Sequence, residues 1–278
     1  MWPFKRGPVV PVLRFTGPIG MATPLRPGLG IATAAAAIER AFTLSKTPAV
    51  AIIVNSPGGS PVQSNLIFRR IRQLADEKGK TVYVFCEDIA ASGGYYLAVA
   101  GDHIYADPSS IVGSIGVITA SFGFDKAIER LGIERRVYTS GENKGSLDAF
   151  KPSNPDDVAR LLALQRDVHD VFIGVVKERR AGRLKGPDQE LFSGAFWSAA
   201  RALDFGLIDG IGDVRSKMRE IYGDKVRLRS VPLAAGGLLA RLRRLPGTEA
   251  EAAAGRLAFA DEVVSAVEAR ALWSRYGL

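Results

Sequence analysis

An α/β fold built on a mainly parallel sheet is predicted by three features of the sequence. Short apolar runs alternate with segments of helical spacing along most of the chain. Two of those runs, Ala49 to Val54 and Thr81 to Phe85, are continuous and lack polar alternation, as strands covered on both faces do. With 278 residues, 47% of them apolar, the chain is long and greasy enough to bury a sizeable core.

The elements follow in order. Val9 to Phe15 reads as a strand closed by Gly17-Pro18-Ile19-Gly20, and a Pro/Gly-rich connection leads to a helix over Ile31 to Leu44. After the strand at Ala49 to Val54, Pro61 to Lys78 carries Leu66, Ile67, Ile71 and Leu74 at helical spacing. The strand Thr81 to Phe85 and a second glycine-bearing turn precede a helix at Tyr95 to Ala100, and strands are expected at His103 to Ala106 and Ile115 to Thr119. A helix near Phe124 to Leu131, a strand at Glu134 to Tyr138 and a long amphipathic helix from Pro155 to Arg180 come next. Helix Ser198 to Phe205, strand Leu207 to Ile211, helix Val214 to Tyr222 and strand Val226 to Val231 end the alternation. Strands and helices alternating at this spacing imply crossover units in a parallel sheet.

Beyond Pro232 the character changes. Gly236-Gly237 reads as a hinge, Leu238 to Leu245 is short, basic and apolar, and Ala250 to Trp273 is alanine-rich and helical. We therefore expect a domain over 1–235 and a helical C-terminal extension over 236–278. The plain reading of the extension is a helix packed on the domain or on a neighbouring subunit. The sharper one is a peripheral membrane contact through Leu238, Leu239, Leu242, Arg241, Arg243 and Arg244, and the shortness of the apolar stretch favours the first.

The net charge of +8 would suit an anionic partner, yet the excess is weakly localised. Its densest stretch, Lys177 to Lys185, has no interleaved aromatic residue for base stacking and reads as the solvated end of a helix, so no nucleic-acid partner is expected. The one cysteine, Cys86, permits no internal disulfide. The N-terminal Met1 to Arg6 is not a secretory signal, and no run of eighteen apolar residues occurs, so a cytoplasmic location is expected, at most peripheral to the membrane.

Three segments carry chemistry. Asn55-Ser56-Pro57-Gly58-Gly59-Ser60 joins a buried strand to a helix, and its glycines let backbone N–H groups approach a ligand; it has the spacing of neither a P-loop nor a dinucleotide fingerprint. Ala90-Ala91-Ser92-Gly93-Gly94-Tyr95-Tyr96 places a serine between small residues at a helix start, with the Gly93 N–H beside any oxyanion formed there. Taken singly, Ser92 is more commonly a helix cap than a nucleophile; the pairing with the first loop is what lifts the functional reading. A nucleophilic serine needs a base, and His103 and His169 both sit where structural roles are expected. A lysine serves instead where burial favours its neutral form, and Ser140-Gly141-Glu142-Asn143-Lys144-Gly145 offers Lys144 in a glycine-flanked loop.

With Gly113-Ser114-Ile115-Gly116-Val117 and the later Gly194, Trp197-Ser198, Ala202 and Gly206-Leu207-Ile208-Asp209, these segments give the chain from Val9 to Val231 a resemblance to the signal peptide peptidase (SppA/SohB-like) family of bacterial serine peptidases. The resemblance implies a Clp protease/crotonase-like spiral of ββα units and a Ser/Lys dyad. It assigns the nucleophile to Ser92, the general base to Lys144, the oxyanion donors to the N–H groups of Gly59 and Gly93, and the positioning of the lysine amine to Ser114. It further implies no metal or organic cofactor, homo-oligomers of ring-like form, and polypeptide substrates that are unfolded or short, such as remnant signal peptides. A crotonase-like acyl-CoA enzyme and a non-catalytic scaffold of the same fold are the competing readings, and the Ser92/Lys144 pairing argues against the first.

Overall fold

A computed structural model of the chain describes residues 7–21, 28–233 and 264–278. β1 (Val9–Thr16), α1 (Ile31–Thr43), β2 (Ala49–Ser56) and α2 (Pro61–Lys78) each lie within two residues of the expected range. Ser60 starts α2 by accepting the Gln63 N–H, and Pro61 takes the first helical position, where no N–H is needed. β3 (Thr81–Ala91), α3 (Gly93–Ala98), β4 (His103–Ala106), β5 (Ile111–Gly113), α4 (Asp125–Arg130) and α5 (Pro155–Arg179) follow. Then come α6 (Asp188–Leu191), β6 (Phe196–Ser198), α7 (Ala199–Asp204), β7 (Gly210–Ile211), α8 (Val214–Tyr222) and β8 (Arg227–Ser230), with a further helix over 264–274.

One eight-stranded sheet runs in the order β6-β5-β3-β2-β1-β8, with β4 beside β3 and β7 beside β4. All pairs are parallel except β5 with β6. This is the α/β, Clp protease/crotonase-like fold that the sequence leads one to expect. Helices α1, α2 and α3 cover one face, burying Leu13, Ile52, Val84 and Ile67 among others, while Met218 of α8 packs on Val12, Ile53 and Phe85 on the other face.

β3 is the pivot. Its first half pairs with β4 through Tyr83 to Cys86, its second half pairs with β5 through Ile89 to Ala91, and its register with β2 shifts between Val54 and Ser56. The strand therefore runs six residues past the expected end at Phe85, because a partner distant in sequence satisfies its backbone.

Other expectations need correction. Ile115 to Thr119 and Glu134 to Tyr138 are not strands. Among the described residues neither segment pairs with another strand: Ser114, at φ 53°, turns the backbone out of the ladder after β5 before 115–119, and the charged 134–136 and the residues after them are exposed. The residues of 207–211 that enter a ladder are only Gly210 and Ile211. The Gly236-Gly237 hinge, the 238–245 segment, the 235/236 boundary and the Met1 to Arg6 reading lie outside the described residues.

The basic end of α5 is solvated as expected at Lys177, Arg183 and Lys185 but not at Arg179 and Arg180. Arg180 is 1% exposed and binds Asp209 and the Gly206 carbonyl, while Arg179 binds Asp102 and the Val99 carbonyl. Asp209 also accepts the Ile104 N–H and pairs with Arg183. The Gly206 to Asp209 motif thus clamps α5 to β4, and the Leu207 carbonyl accepts the buried Tyr95 hydroxyl at 2.7 Å, which ties in α3.

Burial alone would raise both carboxyls. On Asp102, the Val82 N–H, Arg179 and Arg72 reverse that, and on Asp209 Arg180, the Ile104 N–H and Arg183 do so, leaving both below the ordinary carboxylate range. A carboxyl whose folded pKa is depressed contributes stability above its unfolded value of about 3.9 and loses it as pH falls through the folded value. The thermal midpoint is therefore expected to hold from pH 7 to about 5 and to fall steeply below about 4. A midpoint unchanged down to pH 3 would contradict the clamp.

Candidate active site

The end of β3 delivers Ser92 to a tight strand-to-helix turn. Its backbone sits at φ 52°, ψ −121°, in a left-handed region that costs a non-glycine residue about 1–3 kcal/mol. The Ser92 N–H donates to Gly113 O at 2.8 Å and its carbonyl accepts the Tyr96 N–H at 2.9 Å, so both sides of the turn are held. Although Ser92 occupies the capping position of α3, its side chain makes no cap hydrogen bond. Ser92 is instead among the residues lining a groove of about 440 Å³. Ser92 is half-buried on a strained strand-to-helix elbow that borders the groove.

The loop after β2 meets this turn. Ser56 Oγ donates to Gly17 O, Ile19 N–H donates to Gly58 O and Ser60 N–H to Ile19 O, fixing residues 56–60 against the end of β1. Gly59 has φ 141°, and a Cβ there would stand 2.1 Å from the Ile19 carbonyl oxygen. A Cβ on Gly93 would stand 2.5 Å from Ser64 Oγ and 3.3 Å from Gly59 N. Gly59 has no room for a side chain, a Cβ at Gly93 would displace Ser64 Oγ and press on the Gly58-Gly59 backbone, and the two turns are thus in contact. Among the described residues neither the Gly59 nor the Gly93 N–H has a protein acceptor, so both are free to bind an oxyanion beside Ser92. Ser64, on the inner face of α2, belongs to this arrangement and escaped the sequence reading; a serine one turn after the Ser60 cap was its only signal.

Pro61, Val62 and Leu66 of α2, Val117, and Val171 and Phe172 of α5 make the groove predominantly apolar. Phe172 stacks on Tyr96 at 4.8 Å, and Tyr96 meets Phe68 edge-on at 5.6 Å, giving the groove a rigid floor.

The predicted Ser114 is 7% exposed and follows Gly113, which accepts the Ser92 N–H. Its own N–H donates to Ala195 O at 2.7 Å, and its Oγ lies 3.2 Å from Tyr276 Oη. Ser92, Gly59, Gly93 and Ser114 are thus brought together. Lys144 is not. It is exposed, in a turn where its N–H donates to Gly141 O, and it does not line the groove at Ser92. The arm that carries it is fastened to α5 through Leu147 N–H on Asp157 and folds on itself through Arg135 on Asp148.

Neither histidine reaches Ser92. His103 stacks on Tyr83 at 5.2 Å, and His169 Nε2 bonds Ile115 O at 3.0 Å. Burial pushes the Cys86 thiol up to about 12, which leaves it inert as a nucleophile. Among the described residues no group of three or more His, Cys, Asp or Glu is gathered as a metal would require.

The family model of peptidase family S49 matches residues 75–225. A Brucella abortus protein named Na(+)/H(+) antiporter NhaA is 52% identical over 275 residues, covering 97% of this chain and 37% of that protein. A putative protease of Synechocystis is 32% identical over 241 residues, 83% of this chain and 82% of its own length. The chloroplastic serine protease SPPA of Arabidopsis thaliana is 32% identical over 168 residues, 60% of this chain and 24% of that protein.

Proposed function

Because the chain belongs to peptidase family S49, we propose that it is a serine endopeptidase in which Ser92 is the nucleophile and Lys144 the general base. The observation that carries this reading is the strained Ser92 elbow, uncapped and facing the groove, with two unclaimed N–H groups beside it. The Ser92 hydroxyl attacks a peptide carbonyl as the neutral Lys144 amine takes its proton. Gly59 and Gly93 N–H groups hold the oxyanion, and removal of one such donor costs about 100- to 1000-fold in rate. The lysine ammonium then protonates the leaving amine, and water hydrolyses the acyl-enzyme. The apolar groove suits an apolar side chain next to the scissile bond, in keeping with unfolded or short polypeptides such as remnant signal peptides. No helix among the described residues is long and apolar enough to cross a membrane, and the antiporter name of the Brucella relative is not carried to this chain.

The lysine has to travel, and we propose that it is supplied between copies of the chain in a homo-oligomer. Two sets of exposed apolar residues support this. The arm bears Ile118, Phe122, Leu131, Ile133 and Tyr138, and the solvent side of α5 bears Leu162 and Leu164. Docking these surfaces between copies would cover apolar area, and Lys144 lies exposed near the arm residues that would be buried. Sedimentation at micromolar concentration is expected to show a species several times the 29.8 kDa chain mass. A strict monomer with full peptidase activity would exclude the arrangement.

A fluorophosphonate probe tests the nucleophile directly. It should label the native protein at Ser92 and fail to label Ser92→Ala. Labelling should be much slower in Lys144→Ala, whose Ser92 lacks its base. An unreactive Ser92 in a folded oligomer would make the chain a non-catalytic scaffold instead.

A further inference from the structure

Two helices lead away from the nucleophile along the groove. α3 follows Ser92 and carries Tyr96, α2 carries Pro61 and Asn65, and all four of these residues line the groove. Ser92 to Tyr96 and Pro61 to Asn65 are each an advance of about one helical turn, roughly 5–6 Å. Apart from Ser92, only Asn65 and Tyr96 among the lining residues carry a polar side chain. Tyr96 is 4% exposed, and its hydroxyl donates to Asn65 Oδ1 at 3.2 Å. That bond occupies the amide oxygen and turns the amide nitrogen the other way. Among the described residues Asn65 Nδ2 has no acceptor, and it is not sealed from solvent, since Asn55 Oδ1 is the one buried side-chain polar atom left unpartnered there. Asparagine is a poor residue for the interior of a helix, and a leucine of the same shape would match the apolar walls better, so the amide stands where neither propensity nor packing asks for it.

We propose that Asn65 is a specificity-determining residue of the groove, its amide N–H groups receiving an acceptor atom at the tip of an otherwise apolar, unbranched substrate side chain such as that of glutamine. The inference deepens the peptidase reading and rests on Ser92 as the nucleophile. The residue whose carbonyl is attacked keeps its Cα one bond from the reacting carbon, so its side chain enters the groove nearest to Ser92. An unbranched side chain four atoms long spans about one helical turn and so reaches from Ser92 to the level of Asn65. Its stem meets the apolar walls and the Tyr96–Phe172 floor, and its tip meets the amide. A tip that carries an acceptor pairs the Asn65 N–H groups, whereas a wholly apolar tip takes their water away and gives nothing back. Methionine therefore satisfies the stem alone, and glutamine satisfies both stem and tip.

The test uses the full chain and internally quenched peptides that differ only in the residue before the cleaved bond: methionine, glutamine, or methionine sulfoxide, whose oxygen accepts a hydrogen bond while the side chain donates none. The kcat/KM on each is compared between the wild type and Asn65→Leu, which keeps the shape of the side chain and removes its amide. Ratios between peptides within one protein do not depend on how much of that protein is folded, so a folding defect cancels. In Asn65→Leu the glutamine-to-methionine and sulfoxide-to-methionine ratios are expected to fall about tenfold, the scale of one lost hydrogen bond. Equal ratios in the two proteins overturn the inference. A fall for glutamine with none for the sulfoxide overturns it as well, because the amide would then be presenting its oxygen to the substrate. Ser92→Ala separates this role from the reading beneath it. Undiminished cleavage by Ser92→Ala, or no cleavage of any peptide by the wild type, sinks the peptidase reading and the inference with it. Cleavage that depends on Ser92 but keeps its ratios in Asn65→Leu sinks the role of Asn65 alone.

Discussion

Alanine at Ser92 or at Lys144 is expected to lower cleavage of an unfolded model polypeptide by about 10⁴-fold or more, with the fold retained. Neither side chain carries the fold. Ser92 makes no side-chain cap bond, and Lys144 is exposed in its loop. Residues that act as one unit are non-additive, so the double variant should be little worse than either single one. The proposed supply of the lysine between copies adds a sharper outcome. When the two inactive proteins are mixed and allowed to exchange subunits, some sites combine an intact Ser92 with an intact Lys144, and activity should return. Full activity in a folded Ser92→Ala protein would refute the mechanism. Loss in both variants without recovery on mixing would place the lysine within its own chain.

Arg180→Ala is expected to be the most destabilising single substitution outside the apolar core, at about 3–5 kcal/mol. The guanidinium is 1% exposed and donates to the Gly206 carbonyl and to both Asp209 oxygens. Removing it leaves a half-buried carboxylate with Arg183 and the Ile104 N–H as its remaining partners, and an orphaned carbonyl. The thermal midpoint should fall on the order of 10 °C. Because the clamp also fixes the loop whose Leu207 carbonyl binds Tyr95 of α3, and Ser92 directly precedes α3, activity should fall before global unfolding. A midpoint within a degree or two of wild type would show that the clamp carries little of the stability.

Local patterns made much of the body legible. The continuous apolar runs at 49–54 and 81–85 become central strands because a strand covered on both faces has no polar side to show. Ser60-Pro61 starts α2 and Asn154-Pro155 starts α5 because capping oxygens and a missing N–H act over three or four residues. The pairing of two glycine-bearing turns was visible as well, since each follows a strand and opens a helix. Where the partner is distant, the pattern misled. Ile115 to Thr119 is apolar enough for a strand yet finds no ladder, whereas Asp188 to Leu191 and Phe196 to Ser198 became a helix and a strand without a clear signal.

By itself, then, the sequence determined the α/β class, the sheet-forming runs and the turns that present Ser92, Gly59 and Gly93, because these follow from interactions within a few residues. Tertiary structure alone decided which groups share the site. It set Ser64 against Gly93, buried Arg180 on Asp209 where a solvated helix end was expected, brought Tyr276 to Ser114 across 162 positions, and left Lys144 outside the groove. Such neighbours are chosen by how distant faces pack and satisfy one another's polar groups, and no local spacing encodes that choice.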